Sequence, residues 1–313
     1  MSQLPSVKSV LSASQFKKEE ITAIIDLTRR IEGAMGKRRR LPILEDYILS
    51  CLFFEPSTRT RLSFEAAMHR LGGRVVTSVG VQFSSLAKGE TLFDTLKMVE
   101  GYSDICVIRH SIEGASTLAA ENISIPVING GDGAGEHPTQ GLLDIYTIAK
   151  HKPLGEKPLT IAFVGDIKYG RTIHSLIKLL AHFDVQFIFI SPEDLRLPAR
   201  YGNELKERGI EFLETEDIKK LADADVAYVT RIQEERFVDH KTYERFKDIY
   251  IVNLELMQQC KKDLIVMHPL PRLNEVDTDL DDTPHAVYFE QAKNGLYTRM
   301  SLLLTLLQQD LIF

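Results

Sequence analysis

Short apolar runs alternate along this chain with longer stretches in which apolar residues return every three or four positions. That alternation predicts buried strands feeding amphipathic helices, the pattern of parallel sheets covered by helices on both faces. In the first half the runs Tyr47 to Phe54, Arg74 to Val79, Ile105 to Arg109 and Pro126 to Asn129 read as strands. Phe64, Ala67, Met68 and Leu71 fall at i, i+3, i+4 and i+7, and Gly72-Gly73 stops that helix. A further helix is expected from about Pro138 to Lys150. The polar stretch His151 to Pro158, with two prolines and a glycine, then marks a loop.

A second series follows. Its expected strands are Leu159 to Val164, Val185 to Ile190, Val226 to Thr230, Tyr250 to Asn253 and Leu264 to Met267. Ile173, Leu176, Ile177 and Leu180 give one clear helical face. The closing segment, from about Ala286 to Gln308, is again helical and is expected to pack back on the first domain. The fold class is therefore α/β with two domains, each a parallel sheet flanked by helices. One domain takes residues 1–138 together with the C-terminal helix at about 286–313, and the other takes 139–285. A chain of 313 residues suits this division, because a single hydrophobic core stops growing near ~250 residues.

Composition narrows the class of partner. Hydrophobic residues are 44% and charged residues 26%, which suits a globular chain and argues against disorder. Lys+Arg 38 against Asp+Glu 44 leaves a net charge of −6, so nucleic acid and anionic membranes are not expected partners, and an anion site must be built locally. The basic run Lys37 to Arg40 reads as a solvated loop. No stretch of ~18 apolar residues is present and residues 1–11 lack an apolar signal core, which places the expected location in the cytoplasm. Cys51, Cys106 and Cys260 show no metal-ligand spacing, and the first two read as buried thiols.

Four motifs and two single arginines carry candidate chemistry. Ser57-Thr58-Arg59-Thr60-Arg61 lies where a strand gives way to a helix, so helix-start N–H groups, hydroxyls and two guanidiniums converge as a phosphate requires. A plain helix cap by Ser57, with solvated arginines, is the simpler alternative. Arg109 ends another expected strand. His137-Pro138-Thr139-Gln140 opens the helix after the glycine-rich loop Gly130 to Gly135, where His137 is either a helix-start residue or a ligand beside Gln140. Val164-Gly165-Asp166-Ile167-Lys168-Tyr169-Gly170-Arg171 lacks both the third glycine of a dinucleotide fingerprint and the Gly-Lys-Ser/Thr ending of a P-loop. It offers Arg171 at a helix start instead, and Arg231 stands just past another strand, a pair suited to a dicarboxylate. In His268-Pro269-Leu270-Pro271-Arg272 the prolines end a strand, leaving either a rigid turn or carbonyl acceptors for a ligand.

In this order, and with Lys88-Gly89-Glu90-Thr91, the motifs resemble the transcarbamoylases over nearly the whole chain, and among them the catalytic chains that carbamoylate aspartate. The resemblance implies transfer of the carbamoyl group of carbamoyl phosphate to L-aspartate, in pyrimidine biosynthesis, with no cofactor and no metal. It makes the first domain the carbamoyl-phosphate-binding one and the second the aspartate-binding one. Ser57, Thr58, Arg59, Thr60 and Arg109 would hold the phosphate, with Thr60, Arg109 and His137 near the carbonyl oxygen. Gln140 and the carbonyls of Leu270 and Pro271 would accept from the carbamoyl NH2. Arg171, Arg231 and Gln233 would bind aspartate. Lys88 and a nearby serine, Ser84 or Ser85, would reach a neighbouring subunit's site in a homotrimer, and a separate regulatory chain is a plausible partner. Ornithine as the acceptor would call for carboxylates in the second domain and for His-Cys-Leu-Pro in place of His268 to Pro271. A non-catalytic assembly chain of the same family would be expected to lack at least one of these ligands.

Overall fold

The computed structural model describes residues 7–83, 85–133, 135–232 and 240–311. The chain forms two compact units, one from the N-terminal part through Tyr146 together with Lys293 onward, the other Thr147–Ala292. The chain passes from one to the other inside two helices, α5 (Pro138–His151) and α10 (Tyr288–Leu306).

The first unit contains a four-stranded sheet, β1 (Ile48–Phe53), β2 (Arg74–Val79), β3 (Ile105–His110) and β4 (Val127–Asp132), in the order β2-β1-β3-β4 with every pairing parallel. Leu52, Cys106, Ile108 and Val127 meet Leu96 and Val99 of α3 (Leu92–Glu100) and Ala119 of α4 (Ala115–Asn122). In α2 (Thr58–Arg70) the i, i+3, i+4 face is buried as the spacing predicts, with Phe64, Ala67 and Met68 inside. The C-terminal helix packs on this unit. Ser301 accepts a hydrogen bond from Thr28 of α1 (Lys18–Met35) at 2.9 Å, and the Arg299 guanidinium lies 5.1 Å from the centre of the Phe64 ring. Cys51 and Cys106 are buried in adjacent strands, and burial pushes the Cys106 thiol up to about 12.

The second unit holds a five-stranded parallel sheet, β5 (Leu159–Val164), β6 (Val185–Ile190), β7 (Phe212–Thr215), β8 (Val226–Val229) and β9 (Ile265–Met267), in the order β7-β6-β5-β8-β9. The two-residue alternation of strands sorts its faces. Phe163, Phe187, Phe189 and Tyr228 form an aromatic cluster with ring centres 5.6–5.9 Å apart, while Ala162, Val164, Ile188, Ile190 and Val229 pack into another cluster with Leu256 and Met257.

Two departures from the sequence pattern have clear causes. Strand β7 is absent from the expected set because it is an edge strand whose four residues are all partly or fully exposed, so it shows no apolar run. The expected strand Tyr250 to Asn253 does not form. Val252 makes a single parallel bridge to Val276, and Asn253 instead caps the short helix α9 (Leu254–Met257) by accepting from the Leu256 N–H at 3.0 Å.

Candidate active site

Each sheet reverses its winding once. In the first unit the chain leaves β1 toward β2 on one side and resumes at β3 on the other, so the carboxyl ends of β1 and β3 flank a topological switch point. Ligands of open α/β sheets bind in the crevice outside such a point, where helix starts and strand-end side chains converge.

Ser57 holds the N-cap position of α2 in extended conformation (φ −162°, ψ 103°), yet its side chain makes no capping hydrogen bond. The simple-cap reading of Ser57 therefore does not hold. One turn on, Thr60 is 6% exposed, and its Oγ1 lies 3.3 Å from His137 Nε2. His137 is 4% exposed, and its other ring nitrogen lies 3.4 Å from Thr139 Oγ1, so the imidazole is bracketed by two hydroxyls, each able to donate or accept. Arg109, 8% exposed at the end of β3, donates from Nη1 to the Gly130 carbonyl at 3.1 Å and pairs through Nη2 with Glu55 Oε2 at 3.1 Å. Thr58 and Arg59 are exposed at the helix start, and neighbouring protein lowers the Arg59 pKa by desolvation while leaving a cation.

Arg61 departs from the sequence reading. It forms an i, i+4 ion pair with Glu65 at 3.5 Å, along α2 rather than with the cluster. Sequence reasoning missed Glu55, whose carboxylate sits on the arginine that the motif offers to an anion. It also missed Asp144, which accepts from Gln140 Nε2 at 2.9 Å one turn along α5.

Lys88 and Ser85 lie on an exposed single turn, Ser85–Lys88, ending at Gly89 (φ 92°). Ser84 falls outside the described residues. Strand β2, which leads into this turn, is an edge strand with Val76 and Val79 at 46% and 40% exposed.

The second unit repeats the plan. Its switch point lies between β5 and β8. Gly165 follows β5 at φ +111°, and an added Cβ there would stand 2.2 Å from the Thr230 carbonyl oxygen, so only glycine lets the two strand ends meet. Asp166, fully buried, accepts from the Tyr169 N–H at 2.9 Å and shapes the turn that delivers half-buried Arg171 to the start of α6 (Arg171–Leu180). Arg231, also half-buried, follows Thr230, whose N–H donates to the Val164 carbonyl at 2.9 Å. The two arginines thus stand at neighbouring strand exits. Gln233 lies outside the described residues.

After β9, buried His268 organises its motif. Its Nε2 is 2.8 Å from Glu275 Oε1, and its Nδ1 accepts from the Leu270 N–H at 2.8 Å. Leu270 takes φ 56° before a cis bond to exposed Pro271. Arg272 binds both carboxylate oxygens of Asp281 and reaches the Tyr288 hydroxyl, which makes it an anchor of the loop. Among the described residues no cluster of three or more His, Cys, Asp or Glu side chains could hold a metal ion.

The two halves match two family models in this order: the carbamoyl-P binding domain of aspartate/ornithine carbamoyltransferase over residues 8–150, and the Asp/Orn binding domain over 157–306. The chain belongs to the aspartate/ornithine carbamoyltransferase family. Within that family the chain is similar to several aspartate carbamoyltransferases. It is 57% identical over 298 residues to the aspartate carbamoyltransferase catalytic subunit of Leptospira biflexa, covering 95% of this chain and 96% of that one. The solved catalytic subunit of Methanocaldococcus jannaschii aspartate transcarbamoylase superposes with TM-score 0.90 at 48% identity, covering 96% of this chain and 98% of that one. The Trypanosoma cruzi aspartate transcarbamoylase, solved in complex with carbamoyl phosphate and aspartate, gives TM-score 0.90 at 38% identity over 97% and 99% of the two chains. Members of the aspartate carbamoyltransferase group thus share the whole of this fold, and the enzyme class follows from that membership.

Proposed function

We propose that this protein transfers the carbamoyl group of carbamoyl phosphate to the α-amino group of L-aspartate, giving N-carbamoyl-L-aspartate and phosphate for pyrimidine synthesis. The observation that carries the reading is the buried cluster of Thr60, Arg109 and His137 at the first switch point, with Ser57, Thr58 and Arg59 at the adjoining helix start. Hydroxyl, guanidinium and imidazole groups held there would surround the carbonyl oxygen where negative charge develops as the amine attacks. Ser57, Thr58, Arg59 and Arg109 would take the phosphate, whose departure their charge favours. Incoming phosphate would compete with Glu55 for Arg109. Gln140 and the Leu270 and Pro271 carbonyls would accept from the carbamoyl NH2. Arg171, Arg231 and Gln233 would hold the two carboxylates of aspartate, and the leaving phosphate itself can accept the amine proton. Positioning and electrostatics supply the catalysis, so no covalent nucleophile is needed.

The deciding assay supplies carbamoyl phosphate with aspartate or ornithine and measures phosphate release and the carbamoylated product. Turnover with ornithine but not aspartate would overturn the reading.

We further propose a homotrimer in which Lys88 and Ser85 complete a neighbour's site. Strands of parallel sheets are normally covered, and the exposed edge strand β2 ends six residues before the Ser85–Lys88 turn, which supports that reading. A shared site makes a specific hybrid result follow. Mixing inactive Arg59→Ala and Lys88→Ala chains and allowing exchange should restore about a quarter of native activity, since that fraction of sites combines two intact contributions. Hybrids without activity would show that each site is built from one chain.

A further inference from the structure

Gln140 is asked to present a carbonyl oxygen to the substrate NH2, yet a primary amide can turn either end toward a ligand. Its NH2 end is committed. Gln140 Nε2 donates to Asp144 Oδ1 at 2.9 Å, across one turn of α5. Asp144 is fully buried, so no bulk water competes for its oxygens. An ionised carboxylate only accepts hydrogen bonds, so it selects the NH2 end of the amide and turns Oε1 to the opposite side.

The charge on Asp144 has its own support. Arg299 of α10 is 3% exposed, lies over the Phe64 ring, and is close enough for the Asp144 charge to favour its protonated form. Burial pulls the Arg299 pKa down to about 10 against that effect, so the guanidinium remains a cation at neutral pH beside the carboxylate. Gly295 makes room for it, because a Cβ there would stand 2.5 Å from Arg299 Nη1.

We propose that Asp144 is a positioning residue that fixes the orientation of the Gln140 amide and thereby makes the site select a carbamoyl group over an acyl group of the same shape, with Arg299 as its buried counter-ion. The inference rests on the reading of Gln140 as the acceptor for the carbamoyl NH2. Acetyl phosphate carries a methyl group in that place, and a fixed carbonyl facing a methyl loses its partner, which penalises the analogue.

The test measures the ratio of the acetyl phosphate inhibition constant to the carbamoyl phosphate KM in four forms: wild type, Asp144→Asn, Gln140→Ala and the double variant. Asp144→Asn replaces an acceptor by a group that can pair with either end of the amide. The ratio should fall about fivefold, mostly through a raised carbamoyl phosphate KM with kcat less affected. In the Gln140→Ala background the same change should leave the ratio where it is.

If Gln140→Ala leaves the ratio at its native value, the acceptor reading of Gln140 fails and this inference fails with it. If Gln140→Ala lowers the ratio but Asp144→Asn only lowers the melting temperature, Asp144 is a counter-ion alone and the inference is overturned while the acceptor reading stands. Should Asp144→Asn leave Arg299 without a counter-charge and unfold, Asp144→Leu/Arg299→Met replaces both buried charges by apolar groups and reads the same ratio. A native ratio in that variant overturns the proposal.

Discussion

The two switch points share a plan and differ in what makes them rigid. In the first unit the candidate site side chains hold each other: Thr60 meets His137, His137 meets Thr139, Arg109 spans Gly130 and Glu55, and Gln140 rests on Asp144. In the second unit the backbone and buried supports are fixed, through Gly165 against Thr230 and through Asp166, while Arg171 and Arg231 are only half-buried. The first arrangement suits a reacting centre, where donors must already stand where charge will appear. The second suits recognition of an amino acid, because an arginine at a strand exit presents paired N–H donors matched to a carboxylate. Under the proposed function, chemistry would reside in the first unit and acceptor choice in the second.

The largest expected effect tests the chemical side. Arg109→Ala should lower kcat/KM by about 1000-fold, the range found when one preorganised donor to a developing oxyanion is removed. Steady-state kinetics at saturating aspartate reads it, and a loss below tenfold would mean that the interlocked cluster is not the reacting centre. Arg231→Ala comes next. It should raise the aspartate KM by about 100-fold, as loss of a bidentate carboxylate contact would, while carbamoyl phosphate affinity measured by calorimetry stays within about twofold. Equal losses for both substrates would erase the division of labour between the units.

Gly165→Ala separates support from contact. The added methyl must displace the Thr230 backbone or the turn itself, in a conformation that L side chains rarely adopt, so a stability loss of about 2–3 kcal/mol is expected. Denaturant unfolding gives that number. The folded variant should show a raised aspartate KM, because Arg231 is attached to the residue that moves. Undiminished stability would show that the two strand ends have room to part.

These positions also show how unevenly the sequence displays the structure. Strand β1, helix α2 and the Ser57 to Arg61 segment were legible because a largely apolar run, broken only by Ser50, and a 3.6-residue period stand next to a cluster of donors. The strand order was not legible, since sequence order does not say on which side the next strand adds, and the switch points exist only through that order. Strand β7 was hidden because an exposed edge needs no apolar residues. Val252 misled for the opposite reason, being fully buried without belonging to a strand. Glu55 was invisible because its partner Arg109 is remote in sequence. Asp144 was within reach, because a carboxylate four residues after Gln140 on a helix is a readable spacing.

The smallest expected effect concerns the loop that carries Leu270 and Pro271, where the second unit does use an interlocked pair. Burial disfavours the Glu275 carboxylate, but the hydrogen bond and charge of His268 outweigh it and hold the pKa below the ordinary 4.5. A lowered folded-state pKa contributes stability that is fully present above the unfolded value and is lost as pH falls through the folded one. Wild-type stability should therefore decline as the pH drops below about 4.5, and Glu275→Gln should remove this part of the decline, at the cost of lower stability at neutral pH. Denaturant midpoints measured across that pH range compare the two slopes. Identical slopes would show that the loop is held by the Arg272–Asp281 pair instead, and would leave interlocking of buried polar side chains as a property of the first unit alone.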